Sequence, residues 1–273
     1  MTEFKSFFKT VTAAEGQRCK YNTRLDLYGC GCQHDCDYCY AKSLLDFRGL
    51  WHPEEPAAAD IEKVRRKLDK VPAGAVLRLG GMTDCFQPCE RQHRLTRQTI
   101  GLLNERGIGY LIVTKSDMVA EYADIMDRKL AHIQVSTTWL PCENAAPTEK
   151  RISAIETLFS AGFDVAVRLS PFVPEMVDFD RLNSIKCDKI QVEFLRVNHW
   201  IRKWMPLDYS EYTLKSGGYY HLPLELKKEY LKKITGFSQM SICEDVPDHY
   251  EFWQQHVNPN REDCCNLRKE GHE

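Results

Sequence analysis

The stretch Gly107-Ile-Gly-Tyr-Leu-Ile-Val-Thr-Lys-Ser116 reads as a helix stop, a strand and a loop in direct succession. Gly107 suits the left-handed turn that ends a helix, and Tyr110–Val113 is an unbroken apolar run. A strand without polar alternation is one covered on both faces. The same unit recurs on either side. Strands are expected at Arg24–Gly29, Ala75–Gly80, Gly109–Thr114, His132–Thr137, Asp164–Leu169 and Lys189–Leu195. Between them Ile61, Val64 and Leu68, and again Ile152, Ile155 and Phe159, recur at helical spacing, with Gly162 as a second stop. This repetition predicts a parallel sheet, here an α/β fold built as a partial (β/α)6 TIM-type barrel with a C-terminal α-rich extension. Residues 1–22 are expected as an N-terminal segment, 23–197 as the core and 198–273 as the extension, covering the open rim. Within that extension Pro223–Thr235 and Pro247–His256 read as helices and Phe237–Ile242 as a strand.

Composition narrows the function classes. Over 273 residues, 37 Lys and Arg face 39 Asp and Glu, which excludes binding to nucleic acid or membrane by bulk charge. No apolar run approaches the roughly 20 residues that cross a bilayer, and the charged start Met1–Lys9 does not read as a leader. A cytoplasmic protein with no membrane partner is expected. Twelve cysteines then need a reason other than disulfides: metal ligation, redox chemistry or catalysis.

Loops that follow the strands collect the chemistry in a parallel barrel. After the first strand comes Gly29-Cys-Gly-Cys-Gln-His-Asp-Cys-Asp-Tyr-Cys-Tyr-Ala41. Cys32, Cys36 and Cys39 are spaced Cys-x3-Cys-x2-Cys, a loop able to give three thiolates to an iron–sulfur cubane and leave one iron open. The spacing alone also fits zinc completed by His34 or Cys30. With Tyr38 before the last cysteine, the motif resembles the radical S-adenosylmethionine superfamily. Its flanks, and Gly80-Gly-Met-Thr-Asp-Cys-Phe-Gln-Pro-Cys-Glu90, Arg94-Leu-Thr-Arg97, Val113-Thr-Lys-Ser116, Pro147–Ile155 and Val165–Pro171, are similar to the spore photoproduct lyase-like branch. The matches run in order from about Leu25 to Leu195.

The resemblance implies a 4Fe–4S cluster on Cys32, Cys36 and Cys39. S-Adenosylmethionine would chelate the open iron, and its reductive cleavage would give a 5′-deoxyadenosyl radical that takes hydrogen from a substrate. It implies cofactor contacts from Tyr38, Gly80, Gly81, Thr83, Asp84, Lys115, Ser116, Ser136 and Arg168. Arg168 stands in an apolar strand and needs an anionic partner, for which the cofactor carboxylate is the best candidate. An electron donor such as flavodoxin or ferredoxin is implied as well.

The chain departs from that branch at Asp84-Cys-Phe-Gln-Pro88, where the branch has Asp-Pro-Tyr-Gln-Pro, and Cys89 follows. Three readings of the extra cysteines stand open. One is an auxiliary iron–sulfur cluster on some four of Cys85, Cys89, Cys243, Cys264 and Cys265. Another is a hydrogen-donating thiol at Cys142 or Cys85. The third is buried thiols acting as small apolar groups, as suits Cys19 and Cys187. For the substrate, a nucleic-acid base or nucleotide leads. Its support is fold-level analogy and the basic or aromatic runs Arg91–Arg97, Asn198–Trp204 and Lys227–Lys233. A peptide or small metabolite is the alternative, and a non-enzymatic iron–sulfur or zinc module the reading from another class. The lysines of Lys227–Lys233 also read as a solvated helix face, and Gly217-Gly-Tyr-Tyr220 as a lid or a simple turn.

Overall fold

Hydrogen bonding between successive strands organises the chain around one large sheet. The computed structural model describes residues 2–12, 18–141, 144–261 and 263–268. Strands β1 (Phe8–Thr10), β2 (Thr23–Leu25) and β3 (Tyr28–Gly29) lead into helix α1 (Tyr40–Leu45), then β4 (Ala57–Ala58) and α2 (Ile61–Leu68). β5 (Val76–Leu79), α3 (Glu90–His93), α4 (Leu95–Glu105), β6 (Gly109–Thr114), β7 (Ala131–Ser136), α5 (Thr148–Ser160) and β8 (Asp164–Phe172) follow. The chain continues through α6 (Phe179–Asn183), β9 (Lys189–Phe194), α7 (His199–Trp204), β10 (Leu214–Ser216), β11 (Tyr219–His221), α8 (Leu224–Leu231), β12 (Gln239–Ile242) and α9 (Pro247–His256).

Eight strands form the main sheet in the order β1-β2-β5-β6-β7-β8-β9-β12. Only the β1–β2 pair is antiparallel; every other neighbour is parallel. All seven parallel strands therefore end on one edge. The fold is mixed α/β with a large, mostly parallel sheet, as the alternating pattern predicts. β12 lies in the stretch expected as an extension, yet it pairs with β9 and completes the sheet.

The core follows from the sequence pattern. Every residue of β7 is buried, as are five of the six in β6, because helices and loops cover both faces. Helix α2 opens at Asp60, whose carboxylate accepts from Lys63 N–H at 2.9 Å, and turns Val64 and Leu68 inward. Gly107 and Gly162 end α4 and α5 at φ +61° and +81°, the left-handed stops read from the sequence. The aromatic pair after Gly217 and Gly218 belongs to a tight hairpin, with both glycines at positive φ.

The expected strand Arg24–Gly29 is two strands. β2 stays in the main sheet, while Tyr28 and Gly29 pair with Ala58 and Ala57 in a separate two-stranded ladder. Buried Asp26 marks the break: its carboxylate accepts from the Gly81 and Met82 amides at 2.6 and 3.0 Å. A carboxylate so used anchors the β5 loop, and the chain turns out of the sheet after it. Among the described residues no helix is long and apolar enough to cross a membrane.

Candidate active site

A cavity of about 330 Å3 opens at the edge where the parallel strands end. One wall is the loop between β3 and α1. Its backbone reverses tightly, with Cys30, Gly31 and Asp35 all at positive φ. A Cβ on Gly31 would lie 2.2 Å from the His52 carbonyl oxygen, so only glycine fits. The Cys32 carbonyl accepts from Asp35 N–H and the Cys36 carbonyl from Cys39 N–H, each at 3.0 Å. Cys39 then accepts from Ser43 N–H and opens α1. The local turns thereby present Cys32, Cys36 and Cys39 to the one cavity. Cys32 and Cys36 are buried, Cys39 is half-buried, and all three are free thiols. Burial pushes the Cys32 and Cys39 thiols above their ordinary range.

Gln33 and Gln87 lock this loop to the one after β5. The Gln87 side-chain oxygen accepts from Gln33 N–H at 2.9 Å, and the Gln33 oxygen accepts from Cys89 N–H at 2.6 Å. Gly80 sits at φ +83° with a Cβ position 3.1 Å from the Thr83 and Val113 carbonyl oxygens, which holds the position to glycine. The Gly80 carbonyl accepts from Arg78 Nε and the Gly81 carbonyl from the Tyr40 hydroxyl. Thr83 donates to the Tyr28 carbonyl at 2.5 Å. Asp84 accepts from His34, Phe86 N–H, the Thr114 hydroxyl and Lys115 N–H. Burial alone would raise its pKa, but His34 and the amides outweigh it and hold the carboxyl below its usual range.

Farther along the strand ends, the Lys115 ammonium donates to Ser136 Oγ at 2.9 Å and to the Ser170 carbonyl at 3.1 Å, 5.0 Å from the centre of the Tyr38 ring. Arg168 stands beside Ser136 in the ladder and donates to Gln134, Gln191 and Glu193. Its anionic partner in the structure is Glu193 of the neighbouring strand, where the cofactor carboxylate was the best candidate from sequence. Burial opposes ionisation of Glu193, but Arg168, Arg196 and the Ser170 hydroxyl bring its pKa down to about 2.

Tyr38, Gly80, Gly81, Thr83, Asp84, Lys115, Ser136 and Arg168 all line the cavity with the three cysteines. Ser116 does not. Its hydroxyl accepts from Met118 N–H and starts a short 3-10 helix, Asp117–Tyr122. Cys85 and Cys89 are buried in the core off the cavity, so the structure does not join them to Cys243, Cys264 and Cys265, which line it. Cys19, read from sequence as packing, lines it instead. Cys142 falls outside the described residues.

Sequence reasoning named His34 only as a possible zinc ligand and missed Tyr40, Glu193 and Arg196, all on the cavity wall. His34 and Tyr40 carried a signal, standing inside the cysteine motif; Glu193 and Arg196 carried only their place at a strand end. Buried His34 leaves its Nδ1 without a hydrogen-bond partner among the described residues. No group of three or more His, Cys, Asp or Glu side chains among those residues is arranged to hold a metal ion. Three thiols on one loop, bordering a cavity and an orphaned ring nitrogen, nonetheless suit the thiolate donor set of an iron–sulfur cluster with one open iron.

No protein-family model matches the chain. An uncharacterized protein of Methanocaldococcus jannaschii is 27% identical over 164 residues, 55% of this chain and 60% of that protein. An uncharacterized protein of Mycobacterium tuberculosis is 25% identical over 166 residues, 54% of this chain and 49% of the other. The matched stretch thus spans about half the length of these curated relatives. Among solved structures, spore photoproduct lyase complexed with dinucleoside spore photoproduct superposes with TM-score 0.64 at 14% identity, covering 89% of this chain and 80% of that one. A double mutant of that lyase with bound AdoMet and the same dinucleoside gives TM-score 0.64 over 90% of this chain and 81% of that one. The chain shares the fold of spore photoproduct lyase.

Proposed function

We propose that the chain is a radical S-adenosylmethionine enzyme, its sheet a partial TIM-type barrel with the radical site at the open edge. The observation that carries the reading is the placement of Cys32, Cys36 and Cys39 together on the cavity at the parallel strand ends. When bound, a 4Fe–4S cluster with S-adenosylmethionine supplies a one-electron cleavage that yields an adenosyl radical.

The chain's own residues bind, orient and shield. Cys32, Cys36 and Cys39 give three thiolates and no fourth. The Gly80 and Gly81 carbonyls each accept one hydrogen bond and keep a lone pair for an ammonium group. Two of the three Lys115 donors are used, so one remains for a carboxylate. Arg196, between Glu193, Asp245 and the rings of Tyr40 and Tyr219, adds positive charge. Asp26 holds the Gly81 turn, while Thr83 and Asp84 fix the residues after it to the Tyr28 carbonyl and the Lys115 amide. Trp51, Phe194 and Leu195 keep water from the wall.

For the substrate we favour a nucleic-acid base or nucleotide. Arg91 and Arg97 are tied to Glu121 and Asp124, and Lys227 is buried on Glu244. The α7 run differs. Trp200 stacks between Phe47 and Trp204 at 6.2 and 5.8 Å, while Arg202 and Lys203 meet aromatic rings. Such a basic and aromatic surface beside the cluster loop suits an unpaired base. The dinucleoside in the neighbour's structure supports the same class.

The test is anaerobic reconstitution followed by reduction with S-adenosylmethionine present. Wild type should form 5′-deoxyadenosine, and Cys36→Ala should form none and lose the cluster's visible absorbance. Binding of single-stranded oligonucleotides that weakens with salt would support the substrate class. Salt-independent or absent binding would turn the reading to a peptide or small metabolite. The electron would come from a flavodoxin- or ferredoxin-like donor.

A further inference from the structure

Four cysteines from three distant stretches meet on the cavity wall away from the Cys32–Cys39 loop. Cys19 belongs to the N-terminal segment, Cys243 follows β12, and Cys264 and Cys265 lie in the C-terminal tail. All four line the cavity and all are free thiols. Pairing of β12 with β9 and docking of the tail on Gln134 and Gln191 bring these side chains onto that one wall. We propose that Cys19, Cys243, Cys264 and Cys265 ligate a second iron–sulfur cluster.

Thiols used only for packing are not placed in this way. Cys187 is the contrast, a lone core thiol directed at the Val165 carbonyl. The tail bearing Cys264 and Cys265 is instead bonded residue by residue to the sheet. Gln191 donates to the Cys264 carbonyl at 2.6 Å and Gln134 to the Cys265 carbonyl at 3.4 Å. Asp263, buried, accepts from Cys265 N–H at 2.8 Å and from Asn266 N–H at 3.0 Å, and Asn266 then takes a positive φ of 51°. That sharp turn lets two adjacent cysteines face one cavity. Cys243 is fixed by its amide, which donates to the Val192 carbonyl at 2.8 Å.

The arrangement fits a cluster better than a single ion. Thiolates about 2.3 Å from one zinc must all touch one another in a tetrahedron. Among the described residues these four thiols form no such single-ion group. A cubane takes four thiolates at wider spacing. Arg78 and Arg168 on the same cavity offer positive charge to the resulting anion. Four cysteines leave no iron open, so this cluster exchanges electrons and not ligands. It takes one electron from a reduced flavin or iron–sulfur donor and passes it to the cluster on Cys32, Cys36 and Cys39, with no bond made or broken. That use rests on the radical reading of the neighbouring site; the binding of the cluster does not.

The experiment is iron and sulfide analysis, with Mössbauer and electron paramagnetic resonance spectra, on the full chain reconstituted without oxygen. The variant Cys32→Ala/Cys36→Ala/Cys39→Ala should keep about four irons, the content of one 4Fe–4S cluster, with its reduced-state resonance. Wild type should hold about eight, two such clusters. Loss of all iron from a folded triple variant, zinc in its place, or a disulfide among the four thiols in oxygen-free protein would overturn the proposal. Should the triple variant fail to fold, wild type carries the test, and only about four irons, one cluster, would overturn it. A wild type with two clusters that leaves S-adenosylmethionine intact would sink the radical reading and keep the second site.

Discussion

Two sets of thiols border one cavity, and they are held in opposite ways. Cys32, Cys36 and Cys39 ride on a single loop whose reversals are closed by its own backbone, from Asp35 to Cys32 and from Cys39 to Cys36. Cys19, Cys243, Cys264 and Cys265 meet only because β12 pairs with β9 and the tail docks on Gln134, Gln191 and Asp164. The first set is local, and folding that loop assembles it. The second is global, and anything that frees the tail scatters it. One cavity thus has a wall built by a turn and a wall built by the whole sheet.

The sharpest break in this comparison is at the loop itself. Gly31→Ala places a methyl against the His52 carbonyl at a φ that L-residues rarely adopt. It should abolish iron binding by the first set, read as lost absorbance, while the second set keeps its iron. Next in size is the tail. Asp263→Ala removes the acceptor of the Cys265 and Asn266 amides and should cost about 1–3 kcal/mol in denaturant unfolding. It should empty the second set and spare the first. Equal loss from both sets would show that the two walls are not separable.

Smaller effects sharpen the same contrast. Glu193 joins the strands beneath both walls, and its folded pKa of about 2 lies below its ordinary 4.5. The unfolded chain therefore binds more protons on acidification, so the stabilisation is complete above pH 4.5 and fades as pH falls toward 2. Glu193→Gln should flatten that part of the stability–pH curve measured by urea unfolding. An unchanged slope would remove Glu193 from the account. Gln33→Ala, which cuts one tie between the cysteine loop and Cys89, should cost about 1 kcal/mol and leave the second set untouched.

What the sequence made legible follows the same division. Strand and helix patterns repeat within a window of a few residues, so β5 to β9, α2 and α5 could be read, and Gly107 and Gly162 marked their stops. The cysteine loop was legible because its chemistry lies in consecutive residues. Partners brought from afar left no such mark. Nothing near Arg24–Gly29 says that Asp26 will anchor the Gly81 turn and split the strand. Nothing near Arg168 names Glu193, nor near Lys227 the Glu244 that buries it in a helix read as a solvated face. Cys19 was misplaced for the same reason, since it lines the cavity with a tail more than two hundred residues away, whereas Ser116 is taken by a local cap on a 3-10 helix.

The most direct measurement compares S-adenosylmethionine cleavage by the reconstituted wild type with that by the Cys32→Ala/Cys36→Ala/Cys39→Ala variant, under one reductant. The account predicts 5′-deoxyadenosine from wild type and none from the variant, although the variant still holds about four irons. Intact S-adenosylmethionine with iron-loaded wild type, or cleavage by the variant, would contradict it.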